Sequence, residues 1–308
     1  MTSISNSKME IWRQIFSRRM LIALFMGFAG GLPLLLTLTL LQAWMKDAGV
    51  DLGTIGLFGL VGLPYTLKFL WAPLLDRFRL PFLGRRRGWL IVSQLLIIFA
   101  IFNLSLGDPV LSPMGIVIAS LLLTFFSATQ DIVIDAYRRE TLQDDEQGLG
   151  AALYVNGYRF ATLLVSGGGL MLADIVAFEQ VYQLMAMLML VGVATTLFAQ
   201  EPEEPSGTPA TMMEAVVRPF VDFFRRQDAV LLLAFVVLYK VGDMMADHMA
   251  IPFYLDIGFS RTEIGAIAKV FGFGATVAGL LTGGVIILRW GVGWWAKLVG
   301  KVGHSWRA

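Results

Sequence analysis

Residues 20–44 read MLIALFMGFAGGLPLLLTLTLLQAW, a run of 25 residues without a charged side chain. An α-helix needs about 20 mostly apolar residues to cross the hydrocarbon core of a bilayer, so this stretch predicts a membrane-spanning helix. It is too long for the apolar region of a signal peptide, and it lacks a small-residue cleavage site. The chain is therefore expected to enter a membrane close to its N-terminus.

The composition extends this prediction to the rest of the chain. The 308 residues are 56% hydrophobic and only 15% charged, with a mean hydropathy of +0.70. Soluble domains carry about 25% charged residues, so a soluble fold is excluded. The predicted fold class is an all-α membrane protein with eight spans, at about 20–44, 54–75, 89–106, 114–137, 149–173, 181–199, 229–255 and 262–288.

Several kinds of chemistry are excluded by what the chain lacks. It has no cysteine, which rules out disulfide frameworks, thiolate metal sites and cysteine nucleophiles. It has two histidines, and one of them, His304, lies in the terminal tail, so a His-rich metal site is not expected. A net charge of +1 gives no sign of a nucleic-acid partner. We expect no metal, no cofactor and no nucleic acid.

The placement of basic residues predicts the orientation of the spans. Lysine and arginine collect in the cytoplasmic loops of membrane proteins. The N-terminal segment and the loops after spans 2, 4, 6 and 8 hold 18 of the 24 basic residues, whereas the opposite loops hold only Lys46 and Arg261. This alternation supports the span count and predicts a cytoplasmic N-terminus.

The order of the spans predicts two unequal lobes. Residues 1–200 hold six spans with short connections, and residues 201–228 begin with a polar break, EPEEPSGTP. Residues 211–227 within that segment have the pattern of an amphipathic helix on the cytoplasmic face, or of a solvated linker helix. Residues 229–290 hold two further spans. Six helices, a linker and more helices is the layout of a two-lobed transporter of the parallel-repeat kind, here with a shortened second lobe.

The tail, residues 291–308, has two interpretations. Its apolar run is broken by Lys297, Lys301 and four glycines, so it does not predict a ninth span. Trp294 and Trp295 beside lysine suit an anchor at the membrane interface. Alternatively, the tail is foreign to the fold, for example through a shifted reading frame.

Eight charged side chains fall inside the predicted spans, and they indicate transport. Each costs about 3 kcal/mol to bury in a bilayer, and such residues usually face a cavity or a partner of opposite charge. A helical bundle with a purely structural role does not require eight charged residues inside its spans. They are Lys68, Asp131, Asp135, Arg159, Lys240, Asp243, Asp247 and Lys269.

The loop after span 2 places an acid beside a basic cluster. An acid and guanidinium groups at helix ends can pair in one conformation and separate in another, which makes a cytoplasmic latch. Anchoring by positive charge alone explains the arginines but not Asp76. The candidate gating residues are Asp76, Arg77, Gly84, Arg85, Arg86 and Arg138.

Span 4 ends in SATQDIVIDAYRRE, which predicts the site of proton coupling. Asp131, Asp135 and Arg138 fall on one helical face. Two acids four residues apart in a medium of low dielectric repel one another, so one of them is expected to exchange a proton near neutral pH. The alternative is a static ion-pair network with Lys68, Asp76 and Arg138, and one network can serve both purposes.

Span 5 carries Arg159 near mid-membrane, and this residue is the leading candidate for contact with an anionic substrate. A guanidinium group binds carboxylate or phosphate through two parallel hydrogen bonds. The alternative is an ion pair with Asp131 or Asp135. Further candidate substrate contacts near this depth are Gln130, Asn156 and Tyr158.

Span 1 offers candidates for sugar recognition. Gln42 and Trp44, near its outer end, can hydrogen-bond to or stack on a sugar, although Trp44 equally suits the aromatic belt at the membrane surface. Gly27, Gly30, Gly31 and Pro33 interrupt the middle of this span; we expect such an interruption where a helix lines a cavity.

Span 7 carries Lys240, Asp243 and Asp247. Lys240 is a candidate substrate contact, or it pairs with Asp243 three residues away. Asp243 and Asp247 are candidates for a second proton site, with an ion pair between Asp247 and Lys269 as the alternative.

Taken together, several strings resemble the AmpG muropeptide permease family of the major facilitator superfamily. They are GFAGGLPLLLTLTLLQAWM, KFLWAPLLDR, GRRRGWL, SATQDIVIDAYR and LYKVGD. The span 4 string has a counterpart in acetyl-CoA transporters of the same superfamily, but the span 1 and GRRRGWL strings favour AmpG. Asp76, Gly84 and Arg85 match the superfamily's cytoplasmic gating motif, with extra residues between the acid and the glycine.

The resemblance implies proton-driven import of anhydro-muropeptides, which are GlcNAc–anhydroMurNAc with or without peptide, across a bacterial inner membrane. It implies a monomer that has the proton gradient in place of a cofactor. The family continues through a full second lobe, and this chain does not, so an inactive truncated transporter is a further expectation. A membrane enzyme is disfavoured, because the outer loops are short and lack paired acids.

Overall fold

The computed structural model describes residues 13–203, 221–239, 257–258, 271–272 and 274–287. Throughout this part of the chain the regular structure is helical, with no β-strand. The α-helices are α1 Arg18–Leu35, α2 Leu41–Asp47, α3 Leu52–Leu57, α4 Leu63–Leu67, α5 Ala72–Arg77, α6 Arg85–Ser105, α7 Pro113–Thr141, α8 Gln147–Leu163, α9 Leu170–Ala173, α10 Phe178–Leu188 and α11 Leu190–Phe198.

Short irregular helical segments join several of these helices into longer rods. Two π-helical segments, Leu36–Leu40 and Leu164–Gly169, connect α1 to α2 and α8 to α9. Two 3₁₀ segments, Phe58–Gly62 and Lys68–Leu70, flank α4 in the second predicted span. Within the described residues, five helices are long and apolar enough to cross a membrane: Arg18–Asp47, Gly53–Leu70, Arg85–Ser105, Pro113–Thr141 and Phe178–Phe198.

The other predicted spans differ in how far the structure describes them. The span expected at 149–173 is helical along its whole length but is not one of those five apolar helices. Its middle carries Asn156, Tyr158 and Arg159, which lower its hydropathy. Of the spans expected at 229–255 and 262–288, the shorter apolar helices Ala229–Tyr239 and Gly274–Ile287 are described.

Two compact units make up the chain. One is Met1–Ser206 together with Leu280–Ala308, and the other is Gly207–Gly279. All of α1 to α11 belong to the first unit, whereas the helix Ala229–Tyr239 belongs to the second. The domain borders expected at residues 200, 228 and 290 stay predictions.

The middle of α1 remains helical despite its proline. Pro33 has no N–H to donate, so the carbonyl four residues earlier, that of Ala29, lacks its usual helical partner. The side-chain amide of Gln130 on α7 donates to that carbonyl at 3.0 Å. Both residues are fully buried, so a side chain from a neighbouring helix satisfies the carbonyl that the proline leaves free.

Small residues allow α1 and α8 to pack at backbone contact. A Cβ added to Gly27 or Gly31 would overlap the backbone carbonyl of Tyr154 or Tyr158, and one added to Gly157 would overlap that of Leu24. Glycine at such positions is the usual way in which membrane helices approach closely. Gly157 thus permits the close approach of α1 and α8, whereas Gly150 faces the side chain of Leu142.

The described part of the first unit has three apolar clusters, and buried polar residues lie between two of them. One of these two clusters includes Leu36, Ile101, Leu123 and Tyr182, and the other includes Met26, Leu90, Ile134 and Tyr137. The third includes Met20, Leu142 and Leu149. Along α6, α7 and α11, a polar layer of buried side chains lies between the positions of the first two clusters. Its members include Gln94, Thr124, Ser127, Gln130, Asp131 and Thr196.

The connection between α2 and α3 is ordered by an acid at the start of α3. Asp51 accepts hydrogen bonds from both the side chain and the backbone N–H of Thr54, at 2.5 and 2.9 Å. This is helix N-capping by an acid. The bond from the Thr54 hydroxyl, followed by the backbone bond, lowers the pKa of the Asp51 carboxyl.

Candidate functional site

Asp131 lies in the polar layer between the two apolar clusters. It is 9% exposed, and its Oδ2 is 4.0 Å from Nζ of Lys68, which is on the 3₁₀ segment of the second span. Its other oxygen, Oδ1, accepts no hydrogen bond from any described residue. A buried carboxylate with one distant cation and one unbonded oxygen is poorly compensated, which is a common property of functional acids in membranes.

Other buried polar groups lie around Asp131. Position 30 on α1 is a glycine, and a Cβ there would be 3.3 Å from both Asp131 Oδ1 and the Tyr154 hydroxyl. The hydroxyls of Tyr65 and Ser127 are also buried, and they have no partner beyond each other in the described part of the chain. Buried polar groups normally have all their partners, so these groups have bonding capacity left for water or a ligand.

Asp135 does not share the surroundings of Asp131. Its carboxylate is half exposed and pairs with Arg138 one turn further along α7, at 3.4 Å. The guanidinium of Arg138 also lies over the ring of Tyr154, 5.1 Å from its centroid. The two acids that the sequence grouped on one face therefore have different partners, and Asp131 is the more deeply buried of the two.

The residues expected to contact substrate lie in different surroundings. Gln130 is fully buried and its amide bonds to α1, so it holds two helices together. Asn156 is 8% exposed, and neither of its side-chain polar atoms has a partner in the described chain. Tyr158 is partly buried, with its ring centroid 6.4 Å from that of Tyr154.

Arg159 is exposed on α8. The alternative of an ion pair with Asp131 or Asp135 is wrong for the described structure, since those acids pair with Lys68 and Arg138. No ion pair of Arg159 occurs among the described residues.

The two candidates for sugar contact at the end of span 1 differ. Gln42 is exposed on α2. Trp44 is only 6% exposed, with its ring 6.0 Å from that of Phe178 and 5.4 Å from that of Tyr182. Trp44 therefore packs among aromatic side chains in the described structure, and its predicted substrate contact and its predicted position in the aromatic belt stay predictions.

A second cluster lies where the loop after span 2 meets the end of α7. Arg86 is 3% exposed, and its guanidinium contacts Asp76 at 2.7 Å and Glu140 at 2.5 Å. Arg85 joins the same Glu140 carboxylate at 2.8 Å. Glu140 was missed by the sequence interpretation, although it directly follows the arginines of the span 4 string. The sequence around Glu140 does not indicate that its carboxylate contacts Arg86, which lies 54 residues earlier in the chain.

Glu201 closes this cluster from the end of α11. Its two carboxylate oxygens accept hydrogen bonds from the backbone N–H groups of Arg86 and Arg87, at 2.7 and 2.9 Å. These groups belong to the first turn of α6, where free N–H groups and the helix dipole favour an acid. Gly84 has φ +89°, and a Cβ there would be 2.5 Å from Cδ of Glu201. The turn thus requires glycine both for its conformation and for space.

One of the remaining gating candidates has surroundings of its own. Arg77 is exposed and lies over the ring of Phe78, 5.8 Å from its centroid. Arg87, not among the predicted gating residues, donates to the carbonyls of Thr196 and Leu197 at the end of α11. The candidates of span 7, Lys240, Asp243 and Asp247, together with Lys269, lie outside the described residues.

Comparison with known proteins identifies the family. The model of the Major Facilitator Superfamily matches residues 21–303, which is most of the chain. The chain belongs to the Major Facilitator Superfamily. The all-helical structure agrees with the helical bundle of that superfamily, and the expectation of a multi-pass membrane protein is confirmed.

Three curated relatives narrow the assignment. The anhydromuropeptide permease of Escherichia coli is 42% identical over 93% of this chain, and the chain spans 58% of that permease. An uncharacterized protein of Haemophilus influenzae is 42% identical over 91% of this chain and 67% of its own length. A putative transporter, AmpG 4, of Rickettsia conorii is 33% identical over 90% of this chain and 70% of its own. These similarities place the chain in the AmpG family, as the strings of the sequence indicated.

Proposed function

We propose that this chain takes part in the proton-coupled import of anhydro-muropeptides across a bacterial inner membrane, with its N-terminus in the cytoplasm. The similarity to a permease of that name supports the substrate class. The basic loops on one side of the predicted spans support the orientation. The observation that carries proton coupling is the buried Asp131, whose single ion-pair distance to Lys68 is 4.0 Å.

Asp131 suits proton transfer because of its depth and its partners. It lies on α7 between two apolar clusters, where a charged carboxylate is costly and a neutral one is not. One cation, at the limit of an ion-pair distance, compensates the carboxylate only in part. A change in that distance as the helices move would change how readily the group holds a proton, which couples proton movement to conformation.

The proposal for substrate binding rests on polar and charged groups that have no hydrogen-bond or ion-pair partner among the described residues. An amino-sugar peptide carries hydroxyls, amides and carboxylates. Asn156 offers an amide with both polar atoms unbonded within the described structure, and Arg159 offers a charge without an ion pair there. Arg159 is our candidate for a carboxylate of the substrate, through its two parallel donors.

The cytoplasmic cluster serves as a latch in this proposal. Arg86 binds Asp76 from the end of span 2 and Glu140 from the end of α7, and Glu201 fixes the start of α6. The cluster ties together the cytoplasmic ends of four predicted spans. Alternating access requires such ties to form in one state and loosen in another.

Uptake of labelled GlcNAc–anhydroMurNAc peptide into membrane vesicles tests the function. We expect accumulation that depends on an inward proton gradient in the native chain. Asp131→Asn should abolish that dependence, whereas Asp144→Asn should leave it intact, because Asp144 is 92% exposed in a surface pair with Arg139. Uptake that ignores the gradient would refute proton coupling, and uptake of acetyl-CoA in place of the muropeptide would refute the substrate class.

A further inference from the structure

The Lys68–Asp131 pair differs from the other buried ion pairs of the chain. The pairs around Arg86 are 2.5 to 2.8 Å long, and their arginines are at most 6% exposed. The Lys68–Asp131 pair is 4.0 Å long, and the Lys68 side chain is 36% exposed. A lysine with a long ion-pair distance and a partly exposed side chain is able to change partner, since its ammonium group is a point charge on a flexible stem.

Asp131 depends on this lysine for its negative charge. The charged and titratable groups that face it come from the second span, from α8 and from its own helix, while the residue of α1 beside its Oδ1 is Gly30. Among the described residues these groups are Lys68, Tyr65, Tyr154, Tyr158 and Asp135. Lys68 is the one cation in that set. If Lys68 turned to another anion, the Asp131 carboxylate would be left buried and uncompensated, and binding a proton would relieve this.

We infer that Lys68 is shared between Asp131 and a carboxylate of the substrate. In the empty site Lys68 pairs with Asp131. When a carboxylate-bearing substrate binds, its carboxylate takes Lys68, and Asp131 takes up one proton from solution, so the site gains an anion and a proton together. The inference rests on the proposed function and adds to it a second cation and the reason why substrate and proton travel together.

The unbonded atoms around the pair fit this exchange. Oδ1 of Asp131 is buried without a hydrogen bond from the described chain, and the buried hydroxyls of Tyr65 and Ser127 have no partner there beyond each other. A protonated Asp131 becomes a donor as well as an acceptor, and a neighbouring hydroxyl oxygen can accept its proton. The polar layer can therefore hold the neutral form of the acid without moving a second charge.

Proton uptake during binding tests the inference directly. The peptide-free disaccharide GlcNAc–anhydroMurNAc carries a single carboxylate, on its lactyl group, which gives a simple stoichiometry. Titration calorimetry of the purified full chain in two buffers of different ionisation enthalpy counts the protons bound per ligand. We expect close to one proton for the native chain near neutral pH. We expect none for Asp131→Asn, which should bind at least as tightly, because Lys68 then has no competing carboxylate.

A second variant separates the role of Lys68 from general damage to the fold. Lys68→Gln should weaken binding of the free acid at least about tenfold, but bind the methyl ester of the same disaccharide as well as the native chain does. Arg139→Gln, on the exposed Arg139–Asp144 pair, is the matched control and should bind both ligands normally.

The outcomes distinguish this inference from the proposed function. Binding of the acid without proton uptake, or an equal loss of acid and ester in Lys68→Gln, would overturn the inference and leave the substrate class standing. If the native chain bound neither acid nor ester, the proposed function would fail first, and the inference with it.

Discussion

Replacing Arg86 by glutamine should be among the most costly single substitutions outside the apolar core. The guanidinium is nearly enclosed, with a side chain 4% exposed, and it is the shared partner of Asp76 and Glu140. Removing one member of a buried ion pair typically costs about 3–5 kcal/mol, because the charge left behind is uncompensated. Asp76 is 44% exposed and can be rehydrated, and Arg85 keeps its contact with Glu140, so the lower end applies.

The expected loss is therefore about 3 kcal/mol in the free energy of unfolding, or roughly a hundredfold in the ratio of folded to unfolded protein. Unfolding of the purified chain in mixed micelles of increasing SDS content, followed by tryptophan fluorescence, measures it. Arg139→Gln is the matched control, since Arg139 and Asp144 are 69% and 92% exposed and such pairs contribute at most about 1 kcal/mol. A loss below about 1 kcal/mol for Arg86→Gln, or equal losses for both variants, would refute the reasoning.

Three further substitutions test other features. Two are measured by the same unfolding experiment, and the third by muropeptide binding. Glu201→Gln should lower the free energy of unfolding by about 1 kcal/mol, because the amide caps the start of α6 less well than a carboxylate, whereas the exposed Glu203→Gln should have no effect. Gly27→Ala should cost more than about 2 kcal/mol, because its methyl group would overlap a carbonyl of α8, whereas Gly168→Ala has open space. Arg159→Ala should weaken muropeptide binding about tenfold with unchanged stability, as expected of a charge that pairs with a ligand.

Each of these predictions has a clear contrary result. Equal effects of the two glutamate variants would mean that the cap contributes nothing. A fully stable Gly27→Ala protein would contradict the backbone contact between α1 and α8. Loss of folded Arg159→Ala protein would mean that the guanidinium serves packing rather than a ligand.

Sequence reasoning was most successful where a property belongs to one segment. A membrane helix satisfies its own backbone hydrogen bonds, so a long apolar run predicts a span without reference to any neighbour. The run at 20–44 is such a case, and it lies within the helix Arg18–Asp47. The same logic leaves the surroundings of Trp44 open, because they depend on which way its helix faces.

The partners of the charged residues show what cannot be predicted from sequence alone. Asp76 was singled out from its position beside a basic cluster, and it does pair with Arg86, ten residues along the chain. Glu140 and Glu201 were not singled out, although both contact Arg86, because they lie 54 and 115 residues away from it. For Asp131 the sequence offers both Lys68 and Arg159 as partners, and the structure pairs it with Lys68.

The sequence by itself determined that this is a multi-pass helical membrane protein of the AmpG family, since hydropathy, charge placement and motif strings are read along a single chain. Only the tertiary structure decided which cation faces Asp131 and which acids enclose Arg86. The physical reason is helix rotation and depth. These are set by close contacts such as Gly27 and Gly157 between α1 and α8, and by the Gln130 amide on the carbonyl that Pro33 leaves free. No local pattern encodes the angle at which one helix meets another.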